Sequence, residues 1–293
     1  MINLGEVITA MITPFDKDYK ISWESADKLI DYLTTNGSDS LLLAGTTGES
    51  PTLTDEEKID LFKFGRKKLN GNVKLLAGTG SNDTLHTIEL SKKAENTGVD
   101  ALLIVTPYYN KPSQTGLLKH FSAISDAVSI PIIVYNVPSR TCCNINSSTC
   151  KKLAQLENII GIKEASSDFK QISEILRDCP EDFKVYSGND GDTFPIVSLG
   201  GAGVVSVASH IIGNEIKKMI GYIKNGSITK AASLHKKYLE IFYGIFITTS
   251  PIPIKKALYL KGIDAGFLRP PLYDMEAYEE EIFSKLLLKY NII

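Results

Sequence analysis

The chain has 293 residues, 43% apolar and 23% charged, with 32 basic against 34 acidic side chains and a net charge of −2. That balance fits a globular fold with a sizeable core and excludes a collagen-like or disordered chain. Lys and Arg are spread along the chain and not massed, so there is no electrostatic footprint for nucleic acid, and no apolar run approaches the ~20 residues of a membrane span.

The first apolar run, Val7–Thr13, reads as a strand. Ser22–Thr35 follows as a helix, with apolar positions at Ala26, Leu29, Ile30 and Leu33, Ser22 as N-cap and Glu24 near its start. Next come a strand at Ser40–Ala44 and a helix at Asp55–Leu69, where Thr54 and Glu57 stand three apart as a capping box. The alternation continues through strands Val73–Ala77, Ala101–Thr106, Pro131–Asn136, Ile159–Lys163, Lys184–Ser187 and Gly203–Val207. The helices between and after them are Asp83–Thr97, Gln114–Ala127, Ser147–Gln155, Phe169–Leu176 and Asn214–Lys224. Each strand is short and apolar at successive positions, the pattern of a strand buried on both faces of a parallel sheet. Eight strands alternating with helices over this length predict an α/β fold, a closed (β/α)8 TIM barrel. A doubly wound open sheet is the alternative. Ser227–Phe246, Pro253–Lys261 and Met275–Tyr290 read as further helices. With no Pro-, Gly- or Ser-rich linker, residues 226–293 are expected as a C-terminal helical region packed on a barrel of residues 1–225.

The four cysteines, Cys142, Cys143, Cys150 and Cys179, fit neither a Cys-x-x-Cys motif nor a zinc site, which points to a reduced, cytoplasmic protein. The opening Met-Ile-Asn-Leu-Gly-Glu lacks a basic region followed by an apolar stretch, so no signal peptide is expected. His86, His120, His210 and His235 form no spaced pair and read as surface residues, not ligands; no metal is expected.

Active sites of such barrels sit at the C-terminal ends of the strands. Those ends carry Ala-Gly-Thr-Thr-Gly-Glu at 44–49, Thr-Pro-Tyr-Tyr-Asn at 106–110, Tyr-Asn-Val-Pro-Ser-Arg-Thr at 135–141, Lys163-Glu164, and Ser-Gly-Asn-Asp at 187–190. A lysine closing a buried strand is costly, because its ammonium leaves water. It either snorkels past the rim or pairs with Glu164, or it is a catalytic amine whose lowered pKa lets it attack a carbonyl. Tyr135 and Tyr109 are phenols able to carry protons, or else amphipathic rim residues. The glycines around Thr46 and Thr47 let backbone N–H groups approach a carboxylate, and Arg140 can hold a second one in a bidentate fork. An ordinary tight turn and a surface cation are the plainer readings of these two.

Taken together, Gly45-Thr46-Thr47-Gly48-Glu49, Tyr135 through Thr141 and Gly161-Ile162-Lys163-Glu164 resemble the dihydrodipicolinate synthase/N-acetylneuraminate lyase family. The resemblance runs from Val7 to the C-terminal helices. It implies a class I, pyruvate-dependent aldolase with no external cofactor, in which Lys163 forms a covalent imine with pyruvate. Tyr135 would then donate and accept protons, with Thr46 and Tyr109 completing a relay and Tyr109 reaching in from a neighbouring subunit of a homotetramer. Thr47 would bind the pyruvate carboxylate, and the backbone at Val205 would line the pocket. Arg140, followed by Thr141, favours the branch that condenses pyruvate with L-aspartate 4-semialdehyde on the diaminopimelate route to lysine, Arg140 holding the semialdehyde carboxylate. The alternatives are a lyase for sialic acid or another sugar acid, or a non-catalytic keto-acid-binding barrel. Ser50, Asn82 and Tyr108 match a lysine-inhibition pocket of the family, but Asp55, Lys58 and His86 depart from it, and a degenerate site with weak or absent lysine inhibition is expected.

Overall fold

Strand pairing runs without interruption around a ring, from β1 (Val7–Ala10) through β2 (Ser40–Leu43), β3 (Lys74–Gly78), β4 (Ala101–Val105), β5 (Ile132–Asn136), β6 (Ile159–Glu164) and β7 (Lys184–Ser187) to β8 (Gly203–Ser206). All eight pairs are parallel and β8 returns to β1, so in this computed structural model, which describes residues 2–69, 71 and 73–293, the barrel is closed. The open-sheet alternative is excluded by that β1–β8 pairing.

The helices are α1 (Trp23–Thr35), α2 (Asp55–Lys68), α3 (Thr84–Glu95), α4 (Gln114–Ser125), α5 (Pro138–Thr141), α6 (Ser147–Leu153), α7 (Phe169–Asp178), α8 (Thr193–Ser198), α9 (Ser209–Lys224), α10 (Ile228–Gly244), α11 (Ile252–Leu260) and α12 (Ala277–Lys289). The caps read from sequence form as expected. Ser22 accepts from the Ser25 amide, and Thr54 and Glu57 satisfy each other's backbone N–H groups. Two helices escape the sequence pattern. The four-residue α5 and six-residue α8 are each too short to show a 3.6-residue period. The last barrel helix also starts five residues before the expected Asn214, because residues 209–211 form a short turn ahead of a non-helical Ile212.

Strand side chains alternate between two cores. Leu41, Leu43, Leu75, Ala77, Ile132 and Val134 face the helices, whereas Ile8, Leu42, Leu76, Ile133, Tyr135, Tyr186 and Val205 fill the barrel interior. This alternation places Tyr135 at the inner, C-terminal end of β5. It also settles Lys163: Ile162 packs outward, so its strand neighbour turns in. Gly161 is required for this approach, since a Cβ there would lie 2.3 Å from the Lys184 carbonyl oxygen on β7.

The C-terminal helices cover one flank. α10 lies against α9 and α12, and α11 against α9 and α12. The segment after α11 returns to the barrel rim, where the Phe267 amide donates to the Phe15 carbonyl at 2.8 Å.

Candidate active site

Lys163 and Tyr135 are direct partners in the β5–β6 register, and the Lys163 Nζ lies 4.0 Å from the centre of the Tyr135 ring. Both are 6% exposed. Burial pushes the Lys163 ammonium down to about 7; Asp190 opposes the shift and Arg140 adds to it. The same burial pushes the Tyr135 phenol up to about 12. Both alternatives to a reactive lysine fail on geometry. A side chain 6% exposed has not snorkelled into water, and Glu164 points to the other side of β6. There it accepts from Asn136 Nδ2 at 3.1 Å, the Ser166 amide at 2.8 Å and Gln171 Nε2 at 3.2 Å. The site therefore holds a lysine that titrates near pH 7 beside a phenol that stays protonated.

Thr46 and Thr47 sit in the turn after β2. Ala44 and Glu49 bracket it in the left-handed region, at φ 52° and 56°, conformations that cost a non-glycine residue about 1–3 kcal/mol and persist only where the surroundings hold them. Inside the bracket the Gly48 amide donates to Gly45 O and the Glu49 amide to Thr46 O, both at 3.0 Å, while Thr13 Oγ1 donates to Gly48 O at 2.7 Å. Arg140, in α5, is exposed and looks into the mouth.

Two cavities meet at these residues. One, about 410 Å3, contains Lys163, Tyr135, Thr46, Thr47 and Arg140, with Asp190 and, from the C-terminal region, Phe242, Tyr243 and Phe246. The other, about 500 Å3, shares Thr46, Tyr135 and Arg140 and extends outward to Ser50, Asp55, Lys58, Asn82, His86 and Tyr108. The structure thus gathers all six residues of the expected degenerate pocket into one wall. In it, His86 Nε2 lies 2.8 Å from Asp55 Oδ2, and Lys58 Nζ lies 4.0 Å from Asp55 Oδ1. Lys58 is buried and its pKa is lowered by that burial.

Two expected residues line neither cavity. Val205 is in the interior core, beside Ile8 in the β8–β1 register. Tyr109 projects from the surface at 89% exposure, with a left-handed φ of 75°. Within one chain Tyr109 stands away from Thr46 and Tyr135, which share the two cavities.

Sequence reasoning missed several residues. Asp190 is fully buried beside Lys163; it accepts from Ser206 Oγ and from the Val207 and Ala208 amides at 3.1 Å each, and burial raises its pKa. Its motif, Ser-Gly-Asn-Asp at a strand end, was visible, but a short polar run gave it no role. Phe242, Tyr243 and Phe246 are unremarkable on a helix read as peripheral. The histidines are corrected in part: His120 and His210 are buried, not on the surface. His210 accepts from the Ile12 amide at 3.2 Å and donates to Val207 O at 2.8 Å, pinning β1 to the end of β8. Among the described residues no group of three His, Cys, Asp or Glu side chains is arranged to hold a metal, and no helix is long and apolar enough to cross a membrane.

The family described as the dihydrodipicolinate synthetase family matches residues 3–289. The chain belongs to it. The 4-hydroxy-tetrahydrodipicolinate synthase of Bacillus velezensis is 50% identical over 286 residues, covering 98% of this chain and 99% of that one. The enzyme of the same name from Bacillus subtilis is 52% identical over 272 residues, covering 92% and 94%. Among solved structures, the dihydrodipicolinate synthase of Cyanidioschyzon merolae with lysine bound superposes with a TM-score of 0.97 at 42% identity, covering 99% of each chain. The fold of the dihydrodipicolinate synthetase family thus extends over the C-terminal helices as well as the barrel.

Proposed function

We propose that this protein is a Schiff-base-forming lyase that condenses pyruvate with L-aspartate 4-semialdehyde to 4-hydroxy-tetrahydrodipicolinate, in lysine and diaminopimelate biosynthesis. The observation that carries the reading is Lys163: buried, brought to about 7, and stacked against a phenol at the end of the barrel. Membership of the family and relatives of that name near 50% identity over almost the whole chain support it.

In this reading the neutral Lys163 Nζ adds to the C2 carbonyl of pyruvate. Tyr135 delivers the proton that lets the carbinolamine oxygen leave as water. The protonated imine then draws electrons from C3, and loss of a C3 proton gives an enamine. That carbon attacks the aldehyde of the second substrate, whose own amine closes on C2 and releases Lys163. One water is lost overall and no external cofactor takes part. Thr46 passes protons between Tyr135 and the outside, with Tyr109 of a neighbouring subunit as the next member. The exposure and strained φ of Tyr109 suit a side chain that finishes its task in another protomer of a homotetramer. The turn amides and Thr47 take the pyruvate carboxylate, the β8 backbone at Val205 backs the pocket, and Arg140 at the mouth holds the semialdehyde carboxylate. Four free thiols suit a cytoplasmic setting.

The wall formed by Ser50, Asn82, Tyr108, Asp55, Lys58 and His86 is proposed to respond weakly or not at all to lysine. Its one carboxylate, Asp55, is already engaged by His86 and Lys58, and the Lys58 cation repels an incoming ammonium. An assay with purified protein, pyruvate and L-aspartate 4-semialdehyde tests the main reading. Formation of the cyclic product supports it, and turnover of a sugar acid without that condensation would replace it with another branch of the family.

A further inference from the structure

Another buried lysine lies on the far side of the Thr46–Thr47 turn. Lys255, on α11, is 4% exposed, and its Nζ sits 2.6 Å from Oε1 of Glu49, itself 2% exposed. The same Nζ donates to the Phe267 carbonyl at 2.6 Å and lies 4.7 Å from the centre of the Phe15 ring. The other Glu49 oxygen accepts from the Arg269 amide at 2.9 Å. The Arg269 guanidinium donates to the Thr52 carbonyl at 2.7 Å and forks onto Glu57, the capping-box residue of α2, at 2.5 and 2.8 Å. None of Glu49, Lys255 and Arg269 lines either cavity.

A buried charge pair is weak evidence for stability, because desolvation offsets much of its attraction, and its better-attested use is to fix a unique arrangement. What it fixes here is local. Glu49 is the left-handed residue that ends the turn, and its carboxylate is ion-paired with Lys255 through one oxygen and accepts from the Arg269 amide through the other, while Thr13 holds the preceding carbonyl from the β1 side. We propose that Lys255 and Arg269 are positioning residues for pyruvate: through Glu49 they set where Thr46, Thr47 and the turn amides meet its carboxylate, so that the C-terminal helices complete the keto-acid subsite without touching it. This inference rests on the function proposed above.

The test uses Lys255→Met, Glu49→Gln and the double variant, each as full-length protein. Thermal melting, the pyruvate concentration that half-saturates borohydride trapping, and KM for each substrate are measured. Lys255→Met strands a buried carboxylate and is expected to melt lower and to lose about 10- to 100-fold in kcat/KM for pyruvate, the scale of an ångström-sized misplacement. The double variant removes both charges and is expected to regain much of the melting temperature. The lost anchor still leaves its half-saturating pyruvate raised, and KM for the aldehyde, held by Arg140 on another strand end, unchanged. Variants that melt differently but keep wild-type half-saturation for pyruvate would overturn the proposal and leave a purely structural pair. If Lys255→Met does not fold, Glu49→Gln, nearly the same shape, gives the same reading. Wild-type protein that traps no pyruvate would refute the function proposed above, an outcome separate from either result for the variants.

Discussion

Lys163 and Lys255 are both almost sealed from water, yet their surroundings differ. Lys255 touches a carboxylate at 2.6 Å and a carbonyl at 2.6 Å, packs over an aromatic ring, and lines neither of the two cavities. Lys163 has no ion pair among the described residues and faces a cavity that it shares with the Tyr135 ring, Arg140 and the buried Asp190. Burial lowers both, to about 8 and about 7. The comparison teaches that burial alone does not make a lysine reactive. A paired amine is held as a charge and organises its neighbours, whereas an unpaired one beside empty space is free to lose its proton and attack.

The sharpest break of that contrast is Lys163→Ala. It is expected to lower kcat/KM by at least about 10⁴-fold, with the barrel intact by circular dichroism; substantial residual turnover would mean that the reactive amine is elsewhere. Tyr135→Phe keeps the ring beside Lys163 but removes the proton carrier. It is expected to cost about 10²- to 10⁴-fold in turnover, with pyruvate binding retained in a titration.

The two lysines also predict pH behaviour. Lys163 attacks only when neutral, so single-turnover imine formation should rise from pH 5 through a midpoint at about 7 and level off roughly one pH unit higher, where the amine is mostly deprotonated. Two pH units below that midpoint the neutral fraction is roughly a hundredth of its maximum. A rate independent of pH over this range would show that Lys163 is not the titrating nucleophile. The smallest expected effect is on regulation: millimolar L-lysine should leave the steady-state rate nearly unchanged, and strong inhibition would show that the Asp55–His86 pairing opens to admit an ammonium.

Much of this was legible in the sequence because barrel strands carry a repeating signal. Continuous apolar runs at a spacing of about thirty residues gave all eight strands, and the strand-end rule then placed Lys163, Tyr135, Thr46, Thr47 and Arg140 on one rim, where the structure has them. What stayed hidden depends on contacts between residues far apart in the chain. Glu49 was read as the last letter of a turn motif, because its partners lie more than 200 positions away. Asp190 needed the inward turn of β7's end to bring it to Lys163, and Phe242 needed the packing of α10 over the mouth. The short α5 and α8 were lost for another reason, since one or two helical turns leave no period to read.

The central claim, an imine on Lys163, is tested most directly by incubating the protein with pyruvate, reducing with borohydride and mapping the peptides by mass. The account predicts one carboxyethyl group per chain, on Lys163, and none on Lys255. No adduct, or an adduct on another lysine with Lys163 unmodified, would contradict it.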